Sequence, residues 1–279
     1  MDFFLQLLIS GLVIGSIYAL VGLGFVIIYK SSSILNFAQG EFLMLGAYVC
    51  VALVGGYRVP LWAAFPLTLG FFAVMGVLME RLLLRPMIGE PTISVIMLTL
   101  GLASILKAIV QGIWGTDTIA YPTIFPSAPV MIGPLPVSQG YLRSVGSAAL
   151  LLAVFSAVSK YTRAAIAMRA TAFSQQVALS MGVSVQHIFA MAWSIAAVVS
   201  AIGGVLLGGI RGGVDGSFAF FGLKVVPVVI LGGLDSILGA IVGGLIMGIL
   251  ENLAGGYLDP PYRHLLMADK SLSEDLDIK

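Results

Sequence analysis

The sequence has few charged residues and very little cysteine or histidine. Asp, Glu, Lys and Arg make up 10% of its 279 residues, whereas they make up about 25% of an ordinary soluble domain. The single cysteine, Cys50, excludes an intrachain disulfide framework, and the two histidines are too few and too isolated for a metal cluster. A net charge of +1 provides no basic face for nucleic acid. We therefore expect no metal site and no nucleic-acid partner.

Sequence signatures of enzymes are also missing. The chain has no Walker-type phosphate loop, no HExxH, no paired cysteines, and no serine, histidine and acid in a recognisable catalytic pattern. We therefore expect that the chain is not an enzyme and binds no cofactor of its own.

Hydrophobic residues dominate what is present. They make up 59% of the chain, and the mean hydropathy is +1.07. A helix needs about 20 mostly apolar residues to cross a hydrocarbon layer of about 30 Å, and backbone groups that must be paired in lipid favour helices. The sequence therefore predicts an all-α, polytopic transmembrane bundle surrounded by lipid. Its seven predicted spans are 5–28, 34–56, 60–79, 92–114, 141–159, 188–210 and 225–254.

Lysine and arginine in short loops indicate the orientation. Arg81 and Arg85 lie in one connection and three basic residues lie between 160 and 169, whereas the connection 115–140 has neither residue type. The positive-inside rule places the first two connections in the cytoplasm and the N-terminus outside. The first span follows Asp2 and lacks a cleavage site, so we expect a retained helix and no signal peptide. The proline-rich connection 115–140 is predicted to be an extended outer cap, either a lid or docking surface or a simple connector.

Glycine is frequent, with 34 residues. Small residues four apart let membrane helices approach closely. This spacing occurs at Gly11 and Gly15, Gly204 and Gly208, Gly239 and Gly243, and Gly244 and Gly248. Gly232 and Gly233, followed by Asp235 and Ser236 in an apolar stretch, predict that the last span is a discontinuous helix. Irregular backbone survives at that depth only where protein or a water-filled cavity covers it.

Two groups of polar or helix-breaking residues are the candidate pathway residues. They are Asn36, Gln39 and Glu41 at the start of the second span, and Gly232, Gly233, Asp235 and Ser236 at the interruption of the last. Polar side chains within a membrane usually face the bundle interior or a pathway. For the first group, capping of the helix or a position among the headgroups is the alternative. The charges within apolar segments that an ion-coupled transporter could use are Glu41, Asp235 and Lys107.

The segment 160–187 has basic ends and an alanine-rich centre. It predicts a short amphipathic cytoplasmic helix that ends at Gly182 and presents a surface to a soluble partner. A helix resting on the lipid surface is the competing interpretation.

Four blocks of sequence, in order, resemble the permease subunits of ABC importers for branched-chain amino acids. They are GLVIGSIYALVGLGFVIIYKSSSILNFAQGEFLMLGAY near the N-terminus, ERLLLRPMIGEPTISVIMLTLGLASIL after the third span, TRAAIAMRATAFSQQVALSMGVS in the cytoplasmic loop and VVILGGLDSILGAIVGGLIMGILE near the end. The resemblance runs from about residue 5 to residue 260, and the shared order of the blocks argues against chance agreement.

The resemblance implies a permease subunit of the inner (plasma) membrane that forms a pathway for branched-chain amino acids with a second, homologous or identical, permease subunit. Two cytoplasmic ATPase subunits would hydrolyse ATP, an extracytoplasmic binding protein would deliver the substrate, and the pathway would work by alternating access. The loop 160–187 would engage the ATPase. The residues carried over for this contact are Thr162, Arg163, Arg169, Ala170, Ala178 and Gly182. Urea permeases look similar in these blocks, so urea or a short amide is the alternative substrate.

The cytoplasmic loop departs from the family pattern at three positions. Ala165 stands where the family usually has glycine, and Phe173 and Ser174 stand where it usually has acidic or amide residues. We therefore expect the loop to contact its partner differently.

The end of the chain departs further. Family members normally carry another apolar helix after the LDP near residue 260, whereas 261–279 is polar and cannot cross a bilayer. We expect a transmembrane permease domain over 1–260, which contains the coupling loop 160–187, and a polar tail over 261–279 in place of that helix. The rival functions are a channel or ion-coupled secondary transporter, and a non-transporting remnant.

Overall fold

The computed structural model describes residues 2–121, 129–132 and 135–258, and these residues are mainly helical. The helices are α1 (Asp2–Ser32), α2 (Gln39–Val51), α3 (Leu61–Met79), α4 (Thr92–Trp114), α5 (Gln139–Tyr161), α6 (Arg163–Phe173), α7 (Gln175–Ser180), α8 (Val185–Arg211), α9 (Phe220–Gly232) and α10 (Ile237–Tyr257). The strands are β1 (Ile119–Ala120), β2 (Pro129–Ile132), β3 (Leu135–Ser138) and β4 (Gly213–Val214). Single π-helical turns extend α2 to Gly56 and α3 to Leu84.

Seven helical segments in the described part of the chain are long and apolar enough to cross a membrane. This confirms the predicted polytopic all-α class and the predicted number of spans. The fourth span has the predicted bounds, Thr92–Trp114, because Pro91 precedes it and Gly115, with φ +81°, ends it. The second span begins at Gln39 and not at 34, because residues 33–38 are not helical.

Helices α1 and α10 form the closest helix pair of the bundle and run antiparallel. A β-carbon added to Gly11 would lie 2.7 Å from the Cα of Ile249, and one added to Gly244 would lie 2.6 Å from the backbone nitrogen of Ala19. The rings of Phe3 and Tyr257, at opposite ends of the chain, lie 5.7 Å apart. The glycines spaced four apart therefore mark a true contact between helix backbones.

Helix α8 packs against both α1 and α2 in the buried centre of the molecule. A β-carbon on Gly46 of α2 would lie 2.5 Å from the Cα of Ala201, and one on Gly203 of α8 would lie 3.0 Å from the side chain of Val21. The indole of Trp193 is 1% exposed and meets the ring of Phe42 edge-on. Apolar burial thus fixes α2 within the bundle, against α8.

The interruption predicted in the last span is present at residues 233–236, but the prediction of one discontinuous span over 225–254 was wrong, because the chain reverses direction there. The backbones of Gly232 and Gly239 pack directly against each other, and a β-carbon on Gly243 would lie 2.6 Å from the carbonyl oxygen of Val228. Helices α9 and α10 therefore form an antiparallel hairpin. With 13 residues, α9 is about 20 Å long, and the 3-10 turn Gly216–Ala219 directly before it extends the apolar helical segment to Gly216–Gly232.

The short strands form two antiparallel pairs. Strand β1 pairs with β4 through Ile119 and Val214, and β2 pairs with β3 in a hairpin. The described parts of the connection 115–140 therefore contain the extended structure that its prolines predicted, while residues 122–128 and 133–134 lie outside the described residues. The predicted polar tail over 261–279 also lies outside them.

Candidate functional site

Asn36 and Gln39 form a hydrogen-bonded cluster where α2 begins. The Asn36 side chain donates from Nδ2 to Oε1 of Gln39 (3.2 Å) and accepts at Oδ1 from the backbone N–H of Ala38 (3.0 Å). Gln39 donates from Nε2 to Oγ of Ser200 (2.6 Å) and to the carbonyl of Ala196 (3.2 Å). Both amide side chains are fully buried.

This cluster stabilises the irregular backbone at 33–38. Buried polar groups are costly unless they are hydrogen-bonded. The amide nitrogen and the amide oxygen of both Asn36 and Gln39 have hydrogen-bond partners within the protein. The side chains face the protein interior and not the headgroups. They do not line an open cleft in this conformation, and their predicted place beside a pathway stays a prediction.

Glu41, the third predicted residue of this group, lies on a different face. Its side chain is half-buried and lies close enough to Lys107 of α4 to interact with it electrostatically. The Lys107 ammonium lies 5.2 Å from the ring centroid of Phe220, at the start of α9. Helices α2, α4 and α9 thus bring both charge signs and an aromatic ring together.

The other predicted pathway group, residues 232–236, forms the turn of the α9–α10 hairpin. Gly233 has φ +91°, a conformation that favours glycine. Ser236 caps α10 by accepting from the backbone N–H of Gly239 (3.0 Å), and Asp235 is exposed. Among the described residues, no hydrogen bond or ion pair joins this turn to Asn36, so the two predicted groups are separate features.

A third polar group, which the sequence prediction missed, lies on α1, α9 and α10. The Glu251 carboxylate accepts from the ammonium of Lys224 and from the hydroxyl of Tyr18. The Tyr18 side chain is buried, whereas those of Lys224 and Glu251 are 50% and 40% exposed. Both charges lie inside apolar helices, and that isolated position was the available signal.

This third group borders a cleft of about 520 Å³. Its polar lining residues are Tyr18, Arg211, Glu251 and Asn252, and its apolar ones are Phe3, Leu7, Ile14 and Phe221. The Arg211 guanidinium lies 4.8 Å from the centroid of the Phe221 ring and 5.6 Å from that of Phe218. These cation–π contacts hold a positive charge at the rim of the cleft.

The segment 160–187 forms two short helices where one was predicted. Ser174 separates them: it adopts extended backbone and its hydroxyl accepts from the backbone N–H of Val177, which caps α7. Thr162 caps α6 in the same way by accepting from Ala165. The single-helix prediction was wrong because it overlooked the capping signal of Ser174.

The end of α7 is the one predicted at Gly182. Gly182 has φ +82°, its N–H donates to the carbonyl of Leu179 (3.0 Å), and the N–H of Val183 donates to that of Ala178 (3.0 Å). This is a Schellman motif, in which glycine supplies the left-handed residue. Ala178 is buried and packs with Val183, as such motifs favour.

Helix α6 is attached to the end of α1. The Thr171 hydroxyl donates to the carbonyl of Ser31 (3.2 Å), and the Ser33 hydroxyl donates to that of Ala172 (3.4 Å). Ser33 is the first residue of the irregular segment that leads to Asn36. A displacement of α6 would therefore act directly on the backbone that holds the buried amide cluster.

The outer face of α6 and α7 is strongly apolar. Phe173 is 93% exposed and Met181 is 79% exposed, next to the exposed predicted coupling residues Arg169 and Ala170. Exposed apolar patches of this kind mark binding surfaces. Of the other predicted coupling residues, Gly182 is exposed, Ala178 is buried, Thr162 is a helix cap, and Arg163 begins α6 with a side chain outside the described residues.

Comparison with known protein families gives a match over almost the whole chain. Residues 7–268 match the family described as the branched-chain amino acid transport system permease component. The match continues past residue 260, where our expected domain ended. No solved structure matches the chain.

Curated relatives in bacteria and an archaeon are similar over most of their length. The high-affinity branched-chain amino acid transport system permease protein LivH of Escherichia coli K12 is 28% identical, over 95% of this chain and 90% of its own. The corresponding permease protein BraD of Pseudomonas aeruginosa is 29% identical, over 94% and 90%. The probable branched-chain amino acid transport permease protein LivH of Methanocaldococcus jannaschii is 25% identical, over 91% and 82%.

Proposed function

The chain belongs to the family of permease components of branched-chain amino acid transport systems, and we propose that it is the permease subunit of an ATP-driven importer that forms the membrane pathway for these amino acids. It is a multi-pass protein of the inner (plasma) membrane, as its seven spans and its family require. The exposed surface of α6 and α7 supports the importer proposal most directly, because a self-contained channel has no need of it.

The motor lies in partner subunits. The chain carries no phosphate-binding loop, so ATP is hydrolysed by two cytoplasmic ATPase subunits that dock on the outer face of α6 and α7. An extracytoplasmic binding protein delivers the substrate to the opposite end of the bundle, and a second, homologous or identical, permease subunit completes the pathway. Arg169, Ala170 and Gly182 are exposed for the ATPase contact, while Thr162 and Ala178 shape the two helices.

We propose that alternating access is driven through the attachment of α6. The ATPase must bind this surface with different free energies in the outward-open and inward-open states, since a partner without such a difference shifts no equilibrium. Hydrogen bonds from Thr171 and Ser33 connect α6 to the end of α1. They couple the docking surface to the irregular segment 33–38 and to the buried pair of Asn36 and Gln39.

Uptake in reconstituted proteoliposomes tests the function. The chain is co-reconstituted with a second permease subunit, two ATPase subunits and a binding protein from the same genome, and labelled leucine and urea are offered with and without ATP. ATP-dependent leucine uptake supports the proposal, and ATP-dependent urea uptake would change the substrate. Uptake without ATPase subunits would indicate a channel or secondary transporter, and an assembled complex without uptake would indicate a remnant.

A double variant tests the coupling surface. We expect Arg169→Glu with Gly182→Ala to insert normally but to lose ATPase co-purification, because it reverses an exposed charge and strains a residue at φ +82°. The matched control is Arg58→Glu with Gly115→Ala, which changes an exposed arginine and an exposed glycine at φ +81° that lie outside α6 and α7. Equal ATPase recovery from the two double variants would contradict the assignment of α6 and α7.

A further inference from the structure

The ion pair of Lys224 and Glu251 lies on a helix surface where contact with lipid would be unfavourable. Glu251 is inside the apolar helix α10 and Lys224 is inside the apolar helix α9, and about half of each side chain is exposed. Ionisable groups within membrane segments face water-filled cavities or other protein, because charge in hydrocarbon is costly. The surface that carries this pair therefore faces an aqueous passage or a protein partner.

The cleft beside this pair has the chemistry of an amino-acid site. It offers one carboxylate, from Glu251, and one guanidinium, from Arg211, within a single volume of about 520 Å³. The side chains of Leu7, Ile14 and Phe221 supply an apolar wall. A zwitterion with an apolar side chain has a complementary group for each of these three features.

We propose that this cleft binds a zwitterionic α-amino acid with an apolar side chain, which donates from its ammonium to Glu251 and accepts at its carboxylate from Arg211. The proposal rests on the transport function proposed above and assigns a substrate site within it. Arg211 presents a planar fork that matches a carboxylate, and the Phe221 ring, 4.8 Å from its guanidinium, holds it in place.

The neighbours of Glu251 keep the site ready for a ligand. Tyr18 is 1% exposed, and its hydroxyl donates to the Glu251 carboxylate, so that a rigid α1 residue positions the acid. The Lys224 ammonium compensates the charge of the same carboxylate. An incoming substrate ammonium replaces Lys224 as the donor, and the displaced lysine, like Arg211, adds positive charge near the substrate carboxylate.

Analogues with one missing charge measure this recognition. Isocaproate is leucine without its ammonium, and isopentylamine is leucine without its carboxylate. A site that pairs polar groups with its ligand rejects a ligand that leaves one of them without a partner. Binding of leucine, isocaproate and isopentylamine is followed by saturation-transfer difference NMR on the purified, nucleotide-free complex in nanodiscs, without the binding protein.

Variants that neutralise one charge of the cleft should each lose the preference for leucine over one of the two analogues. Wild type and the exposed control Arg58→Gln should bind leucine in preference to both analogues. Glu251→Gln should weaken leucine at least about tenfold and remove the preference over isocaproate. Arg211→Gln should also weaken leucine binding and should remove the preference for leucine over isopentylamine. Arg211→Lys should keep the wild-type order of affinities for the three ligands. Assembly of each variant is checked by ATPase co-purification.

The outcomes distinguish a failure of the proposed site from a failure of the proposed function. Loss of leucine binding without the two complementary changes in selectivity would indicate a structural role and overturn the proposal. Wild-type selectivity in both Glu251→Gln and Arg211→Gln would also overturn it, as would a wild-type complex that takes up leucine with ATP but shows no leucine signal. Absence of ATP-dependent uptake by the wild-type complex is a failure of the proposed function alone.

Discussion

The backbone contact between α1 and α10 leads to a quantitative prediction about two glycines. Alanine at position 11 would place a β-carbon 2.7 Å from the Cα of Ile249, and alanine at position 244 would place one 2.6 Å from the backbone nitrogen of Ala19. Carbon atoms prefer separations of about 3.5–4.0 Å. Each substitution therefore requires α1 and α10 to separate locally by about 1 Å.

The expected cost follows from packing. A gap of about 0.5–1 Å forfeits a quarter to a half of the dispersion energy of the atoms beside it, and overpacking typically costs about 1–3 kcal/mol. We expect Gly11→Ala and Gly244→Ala each to lower the free energy of unfolding by about this amount, or roughly 5- to 150-fold in the equilibrium constant. Since both substitutions move the same two helices apart, their effects should add to less than the sum.

Denaturant unfolding of the purified subunit in detergent measures the effect, with Gly70→Ala and Gly101→Ala as matched controls. Both control glycines lie in membrane helices, and a β-carbon on either would meet nothing within 4 Å. We expect the controls to unfold as the wild type or slightly later, since alanine favours helix. If Gly11→Ala and Gly244→Ala unfold at the same denaturant concentration as the controls, the close approach of α1 and α10 is refuted.

Two further predictions concern the buried polar cluster and the orientation. Gln39→Leu removes the acceptor of the Asn36 amide and should destabilise the subunit by about 1–3 kcal/mol, whereas Gln6→Leu, at an exposed position, should have little effect in the same unfolding assay; equal effects would contradict the cluster. An impermeant maleimide applied to intact cells should label Thr116→Cys and not Gln176→Cys, and Cys50, which is fully buried, should give no background. The reverse pattern would invert the assigned orientation.

The sequence was sufficient for the spans whose length and apolar composition report directly on the membrane. Thr92–Trp114 is the clearest, because Pro91 and Gly115 bound an uninterrupted apolar run. The second span was predicted too long, because residues 34–38 are as apolar as a helix and only tertiary contacts of Asn36 and Gln39 hold them in irregular backbone. Hydropathy does not distinguish these two states.

Hydropathy also could not show that the chain reverses direction between α9 and α10. The glycines at 232 and 233 correctly indicated an interruption, but a break within one span and a hairpin between two helices have the same local sequence. The contact of Gly243 with Val228 is what shows the hairpin.

The third polar group was missed for the same reason. Lys224 and Glu251 are 27 residues apart and meet only because α9 and α10 run antiparallel, and Tyr18 joins them from the far end of the chain. Asn36 and Gln39, by contrast, are three residues apart and could be recognised as a cluster by inspection. A site assembled from single residues on separate helices can be recognised only once the fold is known.

The shortness of α9 has a consequence for how the protein enters the membrane. With the 3-10 turn before it, α9 belongs to an apolar helical segment, Gly216–Gly232, whose 17 residues are at the lower limit of the length that crosses a bilayer. We therefore expect α9 to be held in the membrane mainly by its packing against α10, so that the two helices insert as a pair. The paired backbones of Gly232 and Gly239 at the tip of this pair make that early step sensitive to side-chain size, independently of anything the finished transporter does.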